Sequence, residues 1–329
     1  MRGQGHGHHH ESMLNVEEAL ERILRVFNVL EPEDKPILDT LGQVLAGEVV
    51  SQFDIPPLDN SAMDGYAVQA SSTTGASEDK PAVLRVVGSV AAGELPKHEV
   101  APGTAVRIMT GAPIPIGADA VVPFEDTDEA VHRGSGEKLS RIGIKVEVDS
   151  GANLRPAGQD VRSGQRVLEK GTVLGTAEIA LLASLGYSGV KVIRRPVVAI
   201  LATGDELLEP GADHRPGKIY DSNSLGVAAG VLRYGGIPKS LGIAGDNLDS
   251  METKLQEGLE SDLLITSAGV SKGDYDMVKD VLAQRGEIAF WSVRMRPAKP
   301  LAFGMLRGAD GRAVPHLGLP GNPVSAMVA

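Results

Sequence analysis

The sequence predicts a multidomain α/β protein with a mostly parallel main sheet, an inserted β-rich domain and an N-terminal helical and linker region. Three observations carry this reading. From Val190 onward, short apolar runs alternate with helical segments, the pattern of successive βαβ units. From about Pro81 to Val148 the runs are short, β-branched and broken by Gly and Pro, with little helical periodicity. Near the start, Asn15 to Leu30 places Val16, Leu20, Ile23, Leu24 and Phe27 at helical spacing. The expected division is a tag or disordered start over 1–12, a helical/linker domain over 13–55 plus 149–186, a β-rich domain over 56–148, and an α/β domain over 187–329.

The elements follow in chain order. Asn15 is the expected cap of the first helix, with Glu18 three residues later. A second apolar segment, Ile37 to Val50, leads to Asp54-Ile55-Pro56-Pro57, where paired prolines force an extended path. Asp59, Asn60, Ser61 and Asp64 crowd the next turn, a setting in which acidic residues bond their own backbone, and a strand resumes at Tyr66. The β-rich region offers VLRVVGSV, TAVRIM, DAVVPF and KVEV as strands, Thr110-Gly111-Ala112-Pro113 as a turn, and Val131 to Glu137 as an exposed loop. A polar, glycine-rich connection follows, in which Arg155 and Asp160 form a salt bridge by default, and then a helix from Ala177 to Leu185.

The strand VVAIL (197–201) runs into Thr203-Gly204-Asp205-Glu206. Ser222, Asn223 or Ser224 caps a helix over 225–234 that Gly235-Gly236 ends. A strand over 240–244 gives Gly245-Asp246-Asn247, and a helix over 251–259 precedes the buried strand that begins at Asp262. That strand delivers a loop of small residues, SAGVSKGDYD, and a helix over 276–285. The runs IAFWSVRM, LAFGML and LGLPGNPVSAMVA close the chain.

Composition excludes several functions. The net charge of -11 over 329 residues argues against nucleic acid, which requires clustered Lys and Arg. The longest apolar runs are too short to cross a bilayer, and no secretory signal opens the chain, so the expected location is the cytoplasm. Without cysteine, disulfides, thiolate nucleophiles and Cys-ligated metals are excluded, and any sulfur chemistry must come with a substrate. His6, His8, His9 and His10 read as a purification tag; His98, His132, His214 and His316 are scattered, outside any nucleophile motif. Neither a Walker A sequence nor a GxGxxG fingerprint occurs in the α/β region.

If the strands are parallel, the loops after them open on one edge of the sheet, where ligands bind in such folds. That edge collects Thr203, Asp205 and Glu206; Asp246; Ser267, Ser271, Asp274 and Asp276; and, after later strands, Arg296, Lys299 and Ser325. Carboxylates gathered in one place raise each other's pKa unless a cation compensates, and a hard divalent ion such as Mg²⁺ would do so. Gly269, Gly273, Ser267, Ser271 and Lys272 are the residue types that cradle phosphate or another oxyanion.

Taken together, PPLDNSAMDGYAV, AAGE, RIMTGAPIPIGADAVVPFEDT, LRPAGQDVRSG, PVVAILATGDEL, IYDSNS, TSAGVSKGDYD, PAKPLAFG and GLPGNPVSA resemble the molybdopterin molybdenumtransferases, called MoeA in bacteria and represented by the E domain of gephyrin. The resemblance runs from Pro56 to the C-terminus. It implies a three-layer α/β molybdopterin-binding domain and the insertion of molybdate into the dithiolene of adenylylated molybdopterin, with Mg²⁺-assisted release of AMP. On it, Glu206, Asp246 and Asp276 form a catalytic, Mg²⁺-holding cluster, with Asp64 and Asp160 as further catalytic positions. The binding residues it implies are Thr110, Thr203, Gly204, Asp205, Ser222, Asn223, Ser267, Gly269, Ser271, Gly273, Asp274, Arg296, Lys299, Pro300 and Ser325. Arg296, Lys299, Pro300 and Ser325 belong to a molybdate pocket. The cleft is completed across a homodimer, with Asp64 and Thr110 serving the partner's α/β domain; a molybdopterin adenylyltransferase and apo-molybdoenzymes are further partners.

Departures from the family pattern are Ala268 and Ala298 where Gly is usual, Arg296 where Lys is common, and an end at Ala329 before the family's C-terminal β domain. The expectation drawn from that end is a fragment. Two alternatives stand beside this reading: a non-catalytic molybdopterin-binding scaffold and a molybdopterin adenylyltransferase.

Overall fold

A computed structural model describes residues 13–129, 139–245, 248–267, 286–308 and 310–329. The chain forms two compact units. One takes the chain through Ala46, Val173–Gly175 and Gly189–Ala329; the other is Gly47–Thr172 with Thr176–Ser188.

The first unit is built on a six-stranded sheet in the order Ile237–Ala244, Val197–Thr203, Leu263–Ser267, Ala313–Leu319, Pro300–Arg307, Gly286–Ser292. The first four strands are parallel and the last two pairings are antiparallel. The main sheet is mostly parallel, as expected, with its antiparallel pairings gathered at one side. IAFWSVRM and LAFGML have no helix between them and fold back as a hairpin, Ser292 opposite Pro300.

Alternation along the strands sorts the core onto two faces. Ala199, Leu201 and Leu264 pack with Met251, Leu255 and Leu259 from the Leu248–Gly258 helix and its end. Val198, Ile200 and Ile265 point the other way, toward Val227 and Val231 of the Asn223–Arg233 helix and Ala326 of the Pro323–Val328 helix. Helices on both faces give the three-layer arrangement. Each fully buried Leu here contributes roughly 2 kcal/mol by area.

The N-terminal helix spans Val16–Leu24 and differs from expectation in two ways. Asn15 makes no side-chain cap bond, and Glu18 instead accepts from Arg22 at 2.7 Å. Its inward residues are Ala19 and Ile23, against the Trp291 and Val293 region, because a methyl group lets the helix approach closely. Val16, Leu20 and Leu24 remain 42%, 53% and 58% exposed. After it, Pro32–Pro36 pairs antiparallel with Gly189–Ile193, a strand hidden in the sequence by its prolines and charges.

The second unit contains a mixed five-stranded sheet, ordered Ala120–Pro123, Gly65–Val68, Thr104–Ile108, Ala82–Val90, Arg141–Ile144. Three of the four expected runs lie in strands, while KVEV does not: the strand is the preceding RIGI, whose Ile142 and Ile144 are fully buried. The sheet is apolar on both faces, Tyr66, Leu84 and Ile142 on one and Val106, Ile108 and Val121 on the other. The expected helix appears as Thr176–Ser184. Acidic turn residues here bond backbone far away in sequence rather than their own: Asp54 accepts from Ser163 N, Asp59 from Ala157 N and Asp119 from Ala70 N, each at 2.7 Å.

Candidate ligand site at the sheet edge

Strand order reverses in the α/β unit at Val197–Thr203, whose neighbours are Ile237–Ala244 on one side and Leu263–Ser267 on the other. Chain connections leave in opposite directions there, opening a crevice at the carboxyl ends of the two central strands. Thr203 and Ser267 end those strands and are each 4% exposed. Both were expected in ligand loops. The Thr203 hydroxyl instead donates to the Ser267 carbonyl at 3.4 Å, strapping one strand end to the next.

Asn223 completes this corner. It lies in the first turn of the Asn223–Arg233 helix and is 8% exposed. Its amide nitrogen donates to Ser267 Oγ at 2.7 Å and to the Gly321 carbonyl at 2.9 Å. Because a carbonyl can only accept, the Gly321 contact fixes which end of the amide is nitrogen. The amide oxygen is then left buried with no hydrogen-bond partner among the described residues, an arrangement that costs roughly 1–3 kcal/mol. The Ser224 hydroxyl is likewise buried without a partner among the described residues. Capping of this helix falls to neither Ser222, Asn223 nor Ser224. Asp221 accepts from Ser224 N at 3.1 Å, a role the sequence reading did not assign.

Thr203, Asp221, Asn223 and Ser267 line a cavity of about 50 Å³, bounded also by Glu206, Ser222 and Gly321. Such a volume admits a small polar group and not a whole ligand. It therefore suits the polar tip of a ligand lying along the edge. Larger hollows occur elsewhere, about 600 Å³ around Arg194 and Asp262 and about 640 Å³ beside Leu58 and Ile116. The corner is the smaller space but the one where small polar groups converge.

Gly204 follows the strand with φ +141°, a conformation that favours glycine, and the exposed Glu206 carboxylate lies over it, with Oε2 2.4 Å from where a Cβ would fall. Asp205 and Glu206 are exposed; Lys218 Nζ donates to the Asp205 carbonyl. At the other end of the edge, register places the 293–299 loop between Ser292 and Pro300 level with Leu319 and Ser267. Arg296 and Lys299 are exposed on that loop. Ser325 sits in the first turn of the Pro323–Val328 helix, its N–H donating to the Asn322 side chain at 3.3 Å. With strands about 4.8 Å apart, the acidic and basic ends lie roughly 14–19 Å from each other. They share an edge but not a cluster, which fits an elongated ligand better than a single ion.

Asp246, Gly269, Ser271, Gly273, Asp274 and Asp276, with Ala268 and the expected 276–285 helix, lie outside the described residues. The loop expected over 131–137 does too. Of the three carboxylates expected to hold Mg²⁺, Glu206 alone is described. Among the described residues no three His, Cys, Asp or Glu side chains converge on a metal position.

In the β-rich unit, Asp64 and Thr110 come together: Asp64 Oδ1 accepts from Thr110 N and from Thr110 Oγ1, both at 2.7 Å. Asp160 pairs with Arg155 at 2.7 Å, the salt bridge expected of them, with both side chains about half exposed.

Opposite the candidate corner, at the amino ends of the strands, Arg194 binds Asp262 through two nitrogens at 2.6 and 2.7 Å and Glu31 at 2.8 Å. The Arg194 guanidinium holds the Asp262 carboxyl below its usual range. Between the two edges, His316 is fully buried, with Nε2 3.0 Å from Thr266 Oγ1 and Nδ1 without a partner among the described residues. Desolvation pushes its pKa down to about 3.

Comparison with known proteins agrees with this architecture. Residues 14–186 match the family model described as the MoeA N-terminal region, domains I and II, and residues 199–329 match a probable molybdopterin binding domain. The chain is 38% identical over 323 residues to molybdopterin molybdenumtransferase 2 of Mycobacterium tuberculosis, spanning 96% of this chain and 76% of that protein. It is 36% identical over 315 residues to the molybdopterin molybdenumtransferase of Bacillus subtilis, spanning 95% and 71%. A crystal structure of the molybdopterin biosynthesis MoeA protein of Pyrococcus horikoshii superposes with a TM-score of 0.78 at 34% identity, covering 96% of this chain and 76% of that one.

Proposed function

Because the chain belongs to the molybdopterin molybdenumtransferase (MoeA) family, we propose that it inserts molybdate into the dithiolene of adenylylated molybdopterin and releases AMP. It is a transferase of molybdenum cofactor biosynthesis that acts on molybdopterin. The observation that carries the site assignment is the buried, unpartnered Asn223 oxygen at the switch point of the sheet. A ligand N–H, which a pterin ring supplies, would satisfy that acceptor and recover the cost of leaving it bare. Thr203, Gly204, Asp205, Ser222 and Ser267 lie at the same corner, and Gly269, Ser271, Gly273 and Asp274 would be further binding residues.

At the far end, Arg296, Lys299, Pro300 and Ser325 would hold the tetrahedral oxyanion. Two exposed cations and a hydroxyl are the donors such a group requires. Glu206, with Asp246 and Asp276, would hold Mg²⁺, for which hard carboxylate oxygens are the fitting donors. Bound there, Mg²⁺ would act as a Lewis acid toward phosphate oxygen. The chain's own part is positioning: Asn223 orients the pterin end, and the 293–299 loop fixes the oxyanion at the opposite end of the same edge.

Asp64, Thr110 and Asp160 would contribute to a cleft completed across a homodimer, Asp64 and Thr110 serving the partner's α/β domain. The exposed apolar stripe Val16, Leu20 and Leu24 is support for association, since one helix face is left without cover. Donor adenylyltransferases and recipient apo-molybdoenzymes would be transient partners in the cytoplasm. Among the described residues no helix is long and apolar enough to cross a membrane.

Incubation with adenylylated molybdopterin, molybdate and Mg²⁺ tests the proposal. AMP release together with transfer of active cofactor to an apo-molybdoenzyme is the expected result. Molybdopterin binding without either signal would reduce the function to that of a scaffold, and ATP-dependent adenylyl transfer to molybdopterin would favour the adenylyltransferase reading.

A further inference from the structure

The 293–299 loop turns at Ala298, which holds φ +73°, in the left-handed region that a residue bearing a Cβ seldom adopts. Among the described residues, Asn153 is the other non-glycine residue with positive φ, and Asn tolerates that conformation far better than Ala does. Ala298 is also 3% exposed, between the exposed Arg296 and Lys299. Three backbone bonds of 2.8 Å hold the surrounding chain: Val293 N to Lys299 O, Met295 N to Val293 O, and Arg294 N to Leu14 O. An unfavourable conformation persists only where its surroundings over-determine it, and such points collect at ligand sites.

We propose that Ala298 is a positioning residue, whose buried methyl group pins the left-handed turn and thereby sets Arg296 and Lys299 on either side of one fixed point. The inference rests on the reading of this loop as the oxyanion-holding end of the site. Glycine at this position would adopt the same φ without penalty but would lose the pin and gain freedom. Stability and ligand affinity should then move in opposite directions, which a residue of structural importance alone would not produce.

The test is calorimetric titration of the full chain with sodium molybdate, alongside thermal unfolding, for wild type, Ala298→Gly and Lys299→Ala. For Ala298→Gly the unfolding midpoint should stay level or rise, while molybdate affinity falls roughly two- to five-fold, the entropy penalty of a freed glycine. Lys299→Ala should lose at least ten-fold with its midpoint unchanged. Wild-type affinity in Ala298→Gly, or affinity and midpoint falling together, overturns the role of Ala298 alone. Wild-type affinity in Lys299→Ala, or no binding by the wild type, overturns the reading of the loop and the inference with it.

Discussion

The two ends of the same parallel strands carry opposite chemistry. At the amino edge the Asp262 carboxylate is matched atom for atom, by two Arg194 nitrogens and by Val197 N at 2.8 Å. At the carboxyl edge the side chains are small, Thr203, Asn223 and Ser267, and one of their acceptors is left bare. A satisfied buried pair locks strands together, whereas an unsatisfied group stores free energy that a ligand can recover. The difference separates a place built to hold the sheet from a place built to hold something else.

The largest effect expected is on the amino edge. Asp262→Asn leaves Arg194 short of its better-buried partner and should cost about 3 kcal/mol of unfolding free energy, measured by urea denaturation. Molybdopterin affinity should not change; a loss of affinity would dissolve the distinction between the edges. Next in size, Glu206→Gln at the carboxyl edge should lower turnover about 100-fold, while stability stays within about 0.5 kcal/mol because the side chain is exposed.

His316, between the edges, gives a pH signature. Its folded-state pKa of about 3 lies below the unfolded value near 6.5, so the unfolded state takes the proton first as pH falls. Its contribution is complete above pH 6.5 and is lost as pH drops through the window from 6.5 to 3. Between pH 7 and pH 5 the loss should be about 2 kcal/mol. The Asp262 carboxyl, held below its usual range, contributes above the ordinary carboxylate range and is lost at more acid pH, so of the two only the His316 contribution changes between pH 7 and pH 5. In His316→Leu the slope between pH 7 and pH 5 should flatten; an unaltered slope would assign it to other groups.

The smallest effect sharpens the comparison within the corner itself. Asn223→Ala should weaken molybdopterin binding about ten-fold and cost about 1 kcal/mol of stability, because Ser267 Oγ and Gly321 O lose a donor. Stability loss with unchanged affinity would make Asn223 a strut.

How much of this was legible depended on whether the physical cause was local. Val197–Thr203 and Leu263–Ser267 are continuous apolar runs ended by turn residues, and both stand out in the sequence because burial on two faces demands such runs. The Pro32–Pro36 strand did not, because PEDKP has no strand propensity of its own and exists through its pairing with Gly189–Ile193. The same holds within the site. Glycine and acidic residues after the strands marked the edge, but the Asn223 contact with Gly321 crosses 98 positions, and the capping by Asp221 depends on where the helix begins. The left-handed turn at Ala298 was signalled only through the family's usual glycine there, since nothing in the alanine itself announces a positive φ.

The most direct measurement is hydrogen exchange of the α/β unit's amides with and without adenylylated molybdopterin. Slower exchange at 203–207, 221–224 and 319–322, with none at 194–197 or 261–263, is the predicted footprint. Protection centred on Arg194 and Asp262, with the carboxyl edge unaffected, would place the ligand at the other end of the sheet and contradict the account.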